Sequence, residues 1–253
     1  MNDRGSEVWE RQDFPPWSIK VLLLGTVGIL VLSGIVGGLV IYVVSYVDSH
    51  YNLELNTEER FFLFTMPSYV IYMGLTLAFI VLQLKKNLFT LKDVWVSSKI
   101  QPSHIGVGLL IGVILISLQI LVSKATTGQV TPPPLSEIRF DWRFTLGIEL
   151  LAKASIVGFV EEIFFRGLVY RTLRIHFQVT KATLFSAIIF ALFHLDFILN
   201  PLAMTYVFLF GIVAAVLFER TKSLNTCVAF HFANNTTEPV IRYMTYVIPF
   251  QQG

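Results

Sequence analysis

The sequence predicts an all-α fold, a polytopic integral membrane helix bundle of about seven to eight transmembrane helices. Three observations carry this expectation. Of the 253 residues, 54% are hydrophobic and only 14% charged, against about 25% charged in an ordinary soluble domain. With a mean hydropathy of +0.66, the chain has too few charges to cover a water-facing surface. The apolar residues also fall in long continuous runs, of the ~20 residues a helix needs to cross the hydrocarbon core. Strands of a membrane barrel would instead alternate polar and apolar over about ten residues. Finally, the runs are separated by loops in which basic ones alternate with non-basic ones. The single cysteine, Cys227, excludes an intrachain disulfide framework and a multi-cysteine metal site. A net charge of +2 argues against a nucleic-acid partner. The expected partner is the lipid bilayer.

In chain order, residues 1–17 are polar and form an N-terminal tail. The run Val21–Val47 is longer than a signal-peptide core and is followed by no small-residue cleavage site, so it reads as an uncleaved first span. Phe61–Leu84 and Ile105–Ser123 are the next two uncharged runs. Phe144–Val160 is apolar except for Glu149 and Lys153, which are spaced to pair on one helical face. Ala182–Leu195 contains only His194 as an ionisable residue, and Phe197–Phe218 is uncharged with Pro201 near its start. Ser223–Thr237 is followed by a weaker apolar stretch to Phe250. The chain thus divides into the tail 1–17, motif-free membrane helices over 18–143, and a chemically richer core over 144–250.

Loop charge sets orientation. Residues 48–60 hold Asp48, Glu54, Glu58 and Glu59 against Arg60, while Lys85, Lys86, Lys92 and Lys99 dominate 85–104. Arg166, Arg171, Arg174 and Lys181 make 166–181 basic, and Arg220 and Lys222 outweigh Glu219. The basic loops and the N-terminus are therefore expected in the cytoplasm. No internal repeat is visible, which removes the usual support for a repeat-built transporter.

Ionisable groups inside apolar helices are expensive and point to function. Glu161 and Glu162 lie side by side in Gly158-Phe-Val-Glu-Glu-Ile-Phe-Phe-Arg-Gly167. Glu162 and Arg166 are one turn apart in the favourable order, acid before base, and can neutralise each other. Glu161 has Phe165 at that spacing and no cation there. A carboxylate left unpaired in apolar surroundings suits general base work. A buried charge cluster tying helices together accounts for the same pair. His194 closes Phe190-Ala-Leu-Phe-His194 and shares a face with Phe190. A core or interfacial histidine is the plainer alternative. His231 and Asn235 are again one turn apart, and two donors aimed at one point suit an oxyanion hole. Interhelical bonding by polar residues is the competing reading, and Asn234 is given to packing or bonding.

Other features carry less. His50, His104 and His176 lie in or beside loops, and Asp196 stands near the helix start at Asn200-Pro201. Gly25, Gly28, Gly34, Gly37 and Gly38 suit close helix packing, with Gly34 and Gly38 forming a GxxxG match. Phe165–Phe177 reads as an amphipathic continuation of the Glu161 helix, with its arginines at the headgroups.

Taken together, Glu161-Glu162-x-x-x-Arg166, Phe190-x-x-x-His194 and His231-x-x-x-Asn235 resemble the CAAX protease and bacteriocin-processing (Abi) family of intramembrane endopeptidases, which includes the Ras-converting CAAX endopeptidase. The resemblance covers roughly residues 145–240. It implies a multi-helix membrane fold with a polar cavity open to the cytoplasm. It also implies that Glu161 and His194 activate a water, that His231 and Asn235 hold the oxyanion, and that Glu162, Arg166 and Phe190 support the site. The implied partner is a membrane-tethered protein or peptide substrate, of prenylated CAAX or bacteriocin type. A bacterial cell membrane is the expected location.

No cofactor is required for a glutamate-activated water. Zinc is the alternative, and its ligands would be Glu161, His194 and His231, although no His-Glu-x-x-His pattern is present. Two other functions compete with proteolysis. One is a bacteriocin-immunity or partner-binding protein on the same fold. The other is a proton-coupled transporter using the same groups as a relay.

Overall fold

The computed structural model describes residues 18–55, 63, 66–86, 101–128, 146–147 and 150–250. The N-terminal tail, the basic stretch at 87–100, the sequence Pro132-Pro133-Pro134 and Glu149 lie outside the described residues, as does the side chain of Lys153. Among the described residues there is no strand, and seven main helices follow one another. These are α1 (Ile19–Tyr51), α2 (Met66–Lys86), α3 (Pro102–Thr127), α4 (150–176), α5 (Val179–Leu192), α6 (Pro201–Thr221) and α7 (Leu224–Phe250). The protein is an all-α membrane helix bundle. Four of the helices, α1, α2, α3 and α6, are each long and apolar enough to cross a bilayer.

Local signals explain the ends. The Ser18 hydroxyl caps α1 by accepting from the Val21 N–H at 3.4 Å. Asn200 caps α6 by accepting from the Ala203 N–H at 3.1 Å, with Pro201 in the first turn. Pro at that position loses no hydrogen bond and has its φ already set. Gly128, at φ 73°, closes α3 in the left-handed region that glycine enters without strain.

α5 departs from expectation. It has 14 residues, or about 21 Å, and stops at Leu192 instead of continuing through His194. The Phe193 and His194 N–H groups bond back to Phe190 and Ala191 at 3.1 and 2.9 Å, three residues behind each. That tightened turn ends the helix and leads into a single 3-10 turn, Leu195–Phe197.

α4 forms the centre. It touches α2, α5, α6 and α7. Its geometry changes along its length: wide π-type turns at Leu150–Val157 and Ile163–Tyr170 bracket one α-helical turn, Gly158–Glu162. The Ser155 hydroxyl donates to the Leu150 carbonyl, five residues back, at 3.1 Å. Such widened turns are uncommon and concentrate at functional sites.

From Ile163 to Leu173 every residue is buried. The expected amphipathic continuation with arginines at the headgroups is therefore corrected. Arg171 is 1% exposed. Arg174 donates to Glu219 at 3.3 Å and to the Phe177 carbonyl at 2.9 Å. Tyr170 and Lys222 join the same carboxylate at 3.0 and 3.2 Å, so the end of α4 is tied to the α6–α7 turn. A helix buried on all sides needs internal partners for its charges, and Glu219 supplies one for Arg174.

Small residues set the close contacts, and of the glycines the sequence suggested, Gly25 does so against Phe79 while the Gly34–Gly38 pair does not. A Cβ on Gly34 or Gly38 would meet nothing within 4 Å among the described residues. A Cβ on Gly108 would overlap the Thr226 carbonyl, and one on Gly112 the Phe230 carbonyl. This second GxxxG pair lets α3 lie against α7. Gly211 likewise brings α6 onto Ala187 of α5.

Candidate active site

The two adjacent glutamates of α4 converge on one imidazole of α7. His231 Nδ1 lies 2.7 Å from Glu162 Oε1, and His231 Nε2 lies 3.8 Å from Glu161 Oε2. Neighbouring positions on a helix point about 100° apart, and His231 fills the angle between them. The approach depends on Gly158, where a Cβ would stand 3.2 Å from the imidazole.

Glu162 is the hub. Its Oε1 also accepts from Arg166 Nη1 at 3.0 Å, and both side chains are fully buried. Arg166 Nη2 donates to the Gly211 carbonyl at 3.3 Å, and its guanidinium lies 4.9 Å from the Phe190 ring centroid. Phe190 stacks on Phe210 at 5.3 Å, and Phe210 meets the His231 ring at 4.8 Å. The cation is thus held by a carboxylate, a carbonyl and an aromatic face. A buried pair is stable only when such further partners offset desolvation. Glu162 Oε2 and Arg166 Nε are buried without a hydrogen-bond partner.

A carboxylate on Nδ1 fixes the histidine tautomer and orients the ring. Glu162 does this for His231 and turns Nε2 toward Glu161. With a neutral imidazole, the group Glu161, Glu162, Arg166 and His231 carries one net negative charge. One added proton makes it neutral, and carried on Nε2 it makes His231 a donor there.

Glu161 has a partner after all, contributed by a helix that carries no motif. The Tyr72 hydroxyl of α2 donates to Glu161 Oε1 at 3.3 Å. Sequence reasoning missed Tyr72 because a tyrosine in a membrane helix is commonplace. The signal available was a tyrosine hydroxyl on the helical face it shares with Thr76.

His194 stands at the margin. It is half-buried in the turn after α5, and its Nδ1–H donates to the Phe190 carbonyl at 3.0 Å. Its ring lies 4.7 Å from the Phe190 ring. That bond leaves Nε2 as the available nitrogen. His194 makes no hydrogen bond or ion pair with Glu161 among the described residues. Asn235 is half-buried on α7, one turn beyond His231, and the Asn234 amide donates to the Tyr206 hydroxyl. The bonding role expected of Asn234 is therefore observed.

The zinc alternative fits this arrangement poorly. Glu161 and His231 adjoin each other, but His194 does not join them. No group of three His, Cys, Asp or Glu side chains that could hold a metal ion occurs among the described residues.

An apolar groove of about 580 Å³ runs between α3, α4 and α7. Val160 and Phe232, which line it, are the chain neighbours of Glu161 and His231.

Residues 143–237 match the family described as type II CAAX prenyl endopeptidase Rce1-like. This segment belongs with the CAAX proteases. It covers less than half of the chain, and it spans α4, α5, α6 and the first half of α7, including every motif residue from Glu161 to Asn235. No curated protein and no solved structure gives a significant match. The CAAX-protease-like segment implies intramembrane protease activity toward membrane-associated protein substrates. Tyr72 lies outside it.

Proposed function

We propose that this protein is an intramembrane endopeptidase that hydrolyses a peptide bond in a membrane-tethered substrate. The observation that carries this reading is the pairing of Glu161 with a histidine whose second nitrogen is held by Glu162. A gap of 3.8 Å is longer than a hydrogen bond and admits a bridging water. Glu161 takes a proton from that water, and the resulting hydroxide attacks the scissile carbonyl carbon. His231 and Asn235 donate to the oxyanion. When the C–N bond breaks, Glu161 returns the proton to the leaving amine.

His194, with Nε2 free, assists at the water from the opposite side once substrate draws the α5 turn inward. Glu162, Arg166 and Phe190 hold His231 in its tautomer and angle. Every step uses protein groups alone, and activity is expected to survive metal chelators.

The groove beside Val160 and Phe232 suits a substrate anchored by a lipid chain, which favours a prenylated CAAX-type protein over a free peptide. The core that does this work spans 144–250, the basic loops and the N-terminus face the cytoplasm, and the host membrane is bacterial.

The test compares protein termini in membranes of cells expressing wild type or Glu161→Ala at matched levels. New termini seen only with wild type are expected, and they would name the substrate and the cleavage site together. Identical termini would sink the protease reading and leave a binding or immunity protein on this fold.

A further inference from the structure

Glu161 and His194 share no hydrogen bond or ion pair among the described residues, yet one side chain from outside the CAAX-protease-like segment reaches both neighbourhoods. Tyr72 donates its hydroxyl to Glu161 Oε1 at 3.3 Å, and its ring lies 5.7 Å from that of Phe193, the residue before His194. The placement is built rather than incidental. Phe79, two turns further along α2, packs edge-on against Phe164 at 6.1 Å, and Phe164 meets Phe193 at 5.8 Å. Gly25 of α1 leaves room for the Phe79 ring. The Thr76 hydroxyl donates to the Tyr72 carbonyl at 2.8 Å, so its own polar group is satisfied inside α2. The stripe Tyr72, Thr76, Phe79 is thus the face with which α2 docks on the site.

We propose that Tyr72 is the positioning residue for the Glu161 carboxylate, and that α2 is thereby part of the active site. This rests on the endopeptidase reading above. A carboxylate on a free side chain rotates and offers either oxygen. Held at Oε1 by Tyr72, Glu161 presents Oε2 toward His231, where the water is activated. The hydroxyl acts through Glu161 and does not touch the reacting atoms. Its loss therefore costs turnover and leaves substrate binding unchanged.

The test is steady-state cleavage of a farnesylated, fluorescence-quenched CAAX-type peptide by the full-length protein in detergent micelles. Tyr72→Phe keeps the ring and its contact with Phe193 and removes only the hydroxyl. We expect kcat to fall about tenfold, with KM within about twofold and an unchanged melting temperature. The same change is then made in a Glu161→Asp background, where the carboxylate is drawn back from the hydroxyl. There Tyr72→Phe should cost less than about twofold, because interacting residues are not additive.

Wild-type kcat in Tyr72→Phe would overturn the proposal. So would a tenfold loss repeated in the Glu161→Asp background, which would put the hydroxyl's effect elsewhere. If the wild type itself cleaves neither this peptide nor a substrate found by the comparison of termini, it is the endopeptidase reading that fails, and Tyr72 is left without a reaction to serve.

Discussion

α1 and α4 are both helices in the same bundle, and their residues face opposite surroundings. In α1, Leu24 is 74% exposed and Ile35 62%. In α4, Phe164, Phe165 and Leu168 are fully buried, and so are Glu162 and Arg166. Lipid tails are as apolar as leucine, so packing an apolar face against another helix gains little in a membrane. What holds α4 at the centre is its polar content, which needs partners that lipid cannot supply. The more hydrophobic helix is therefore the peripheral one, and the helix with the most charge is the core.

The most severe way to break this contrast is to remove the hub of the charge network. Glu162→Ala leaves Arg166 and His231 buried without their carboxylate. Breaking a buried pair from one side costs about 3–5 kcal/mol, and we expect that loss in denaturant unfolding of the protein in micelles, together with loss of cleavage. A loss below about 1 kcal/mol would mean that α4 is held by apolar packing, like any soluble core.

The second test sets two glycine pairs against each other. Gly108→Leu or Gly112→Leu drives a side chain into the α7 backbone, at an expected cost of about 1–3 kcal/mol. Gly34→Leu and Gly38→Leu meet open space and should leave unfolding unchanged. Equal effects at both pairs would show that the Gly34 and Gly38 face of α1 has a helix partner beyond α2 and the end of α4.

These glycines also mark the limit of what the sequence discloses. Both pairs have the same spacing, and the sequence singles out only the one in the glycine-rich run. Which pair packs depends on the partner helix, and Thr226 and Phe230 lie more than a hundred residues away in the chain. The site divides in the same way. Glu162 with Arg166 was readable because both sit on one helix at one-turn spacing. The family likeness of 143–237 was readable because three such local pairs occur in order. His231 on both glutamates, and Tyr72 on Glu161, are contacts between helices and left no periodic trace. The end of α5 before His194 was hidden for a different reason. An apolar run says nothing of where its backbone tightens, and the turn is fixed by hydrogen bonds to Phe190 and Ala191.

His194 sharpens the contrast at a smaller scale, because it belongs to the motif segment yet sits at its edge. His194→Ala removes one hydrogen bond, to the Phe190 carbonyl. We expect a stability loss of about 1 kcal/mol alongside a fall in cleavage of at least about a hundredfold. Unfolding in micelles and peptide turnover, measured on the same preparation, separate the two. A stability loss as large as that of Glu162→Ala would make His194 a structural member of the network and remove it from the chemistry.

The smallest expected effect is the most direct statement about α1. Leu24 is among its most exposed residues, and in a bilayer that exposure is to lipid. Truncation to alanine removes methylene groups that touch lipid in the folded bundle and touch lipid again when the helices separate within the membrane. The transfer term cancels, and Leu24→Ala should change stability by no more than about 0.5 kcal/mol. Unfolding in micelles of the purified protein measures it. A loss of 2 kcal/mol or more would mean that Leu24 packs against protein, and the first subject to examine would be a second copy of the chain seated on α1. Cross-linking through a cysteine placed at Leu24 would then report that contact directly, since Cys227 is buried and does not compete.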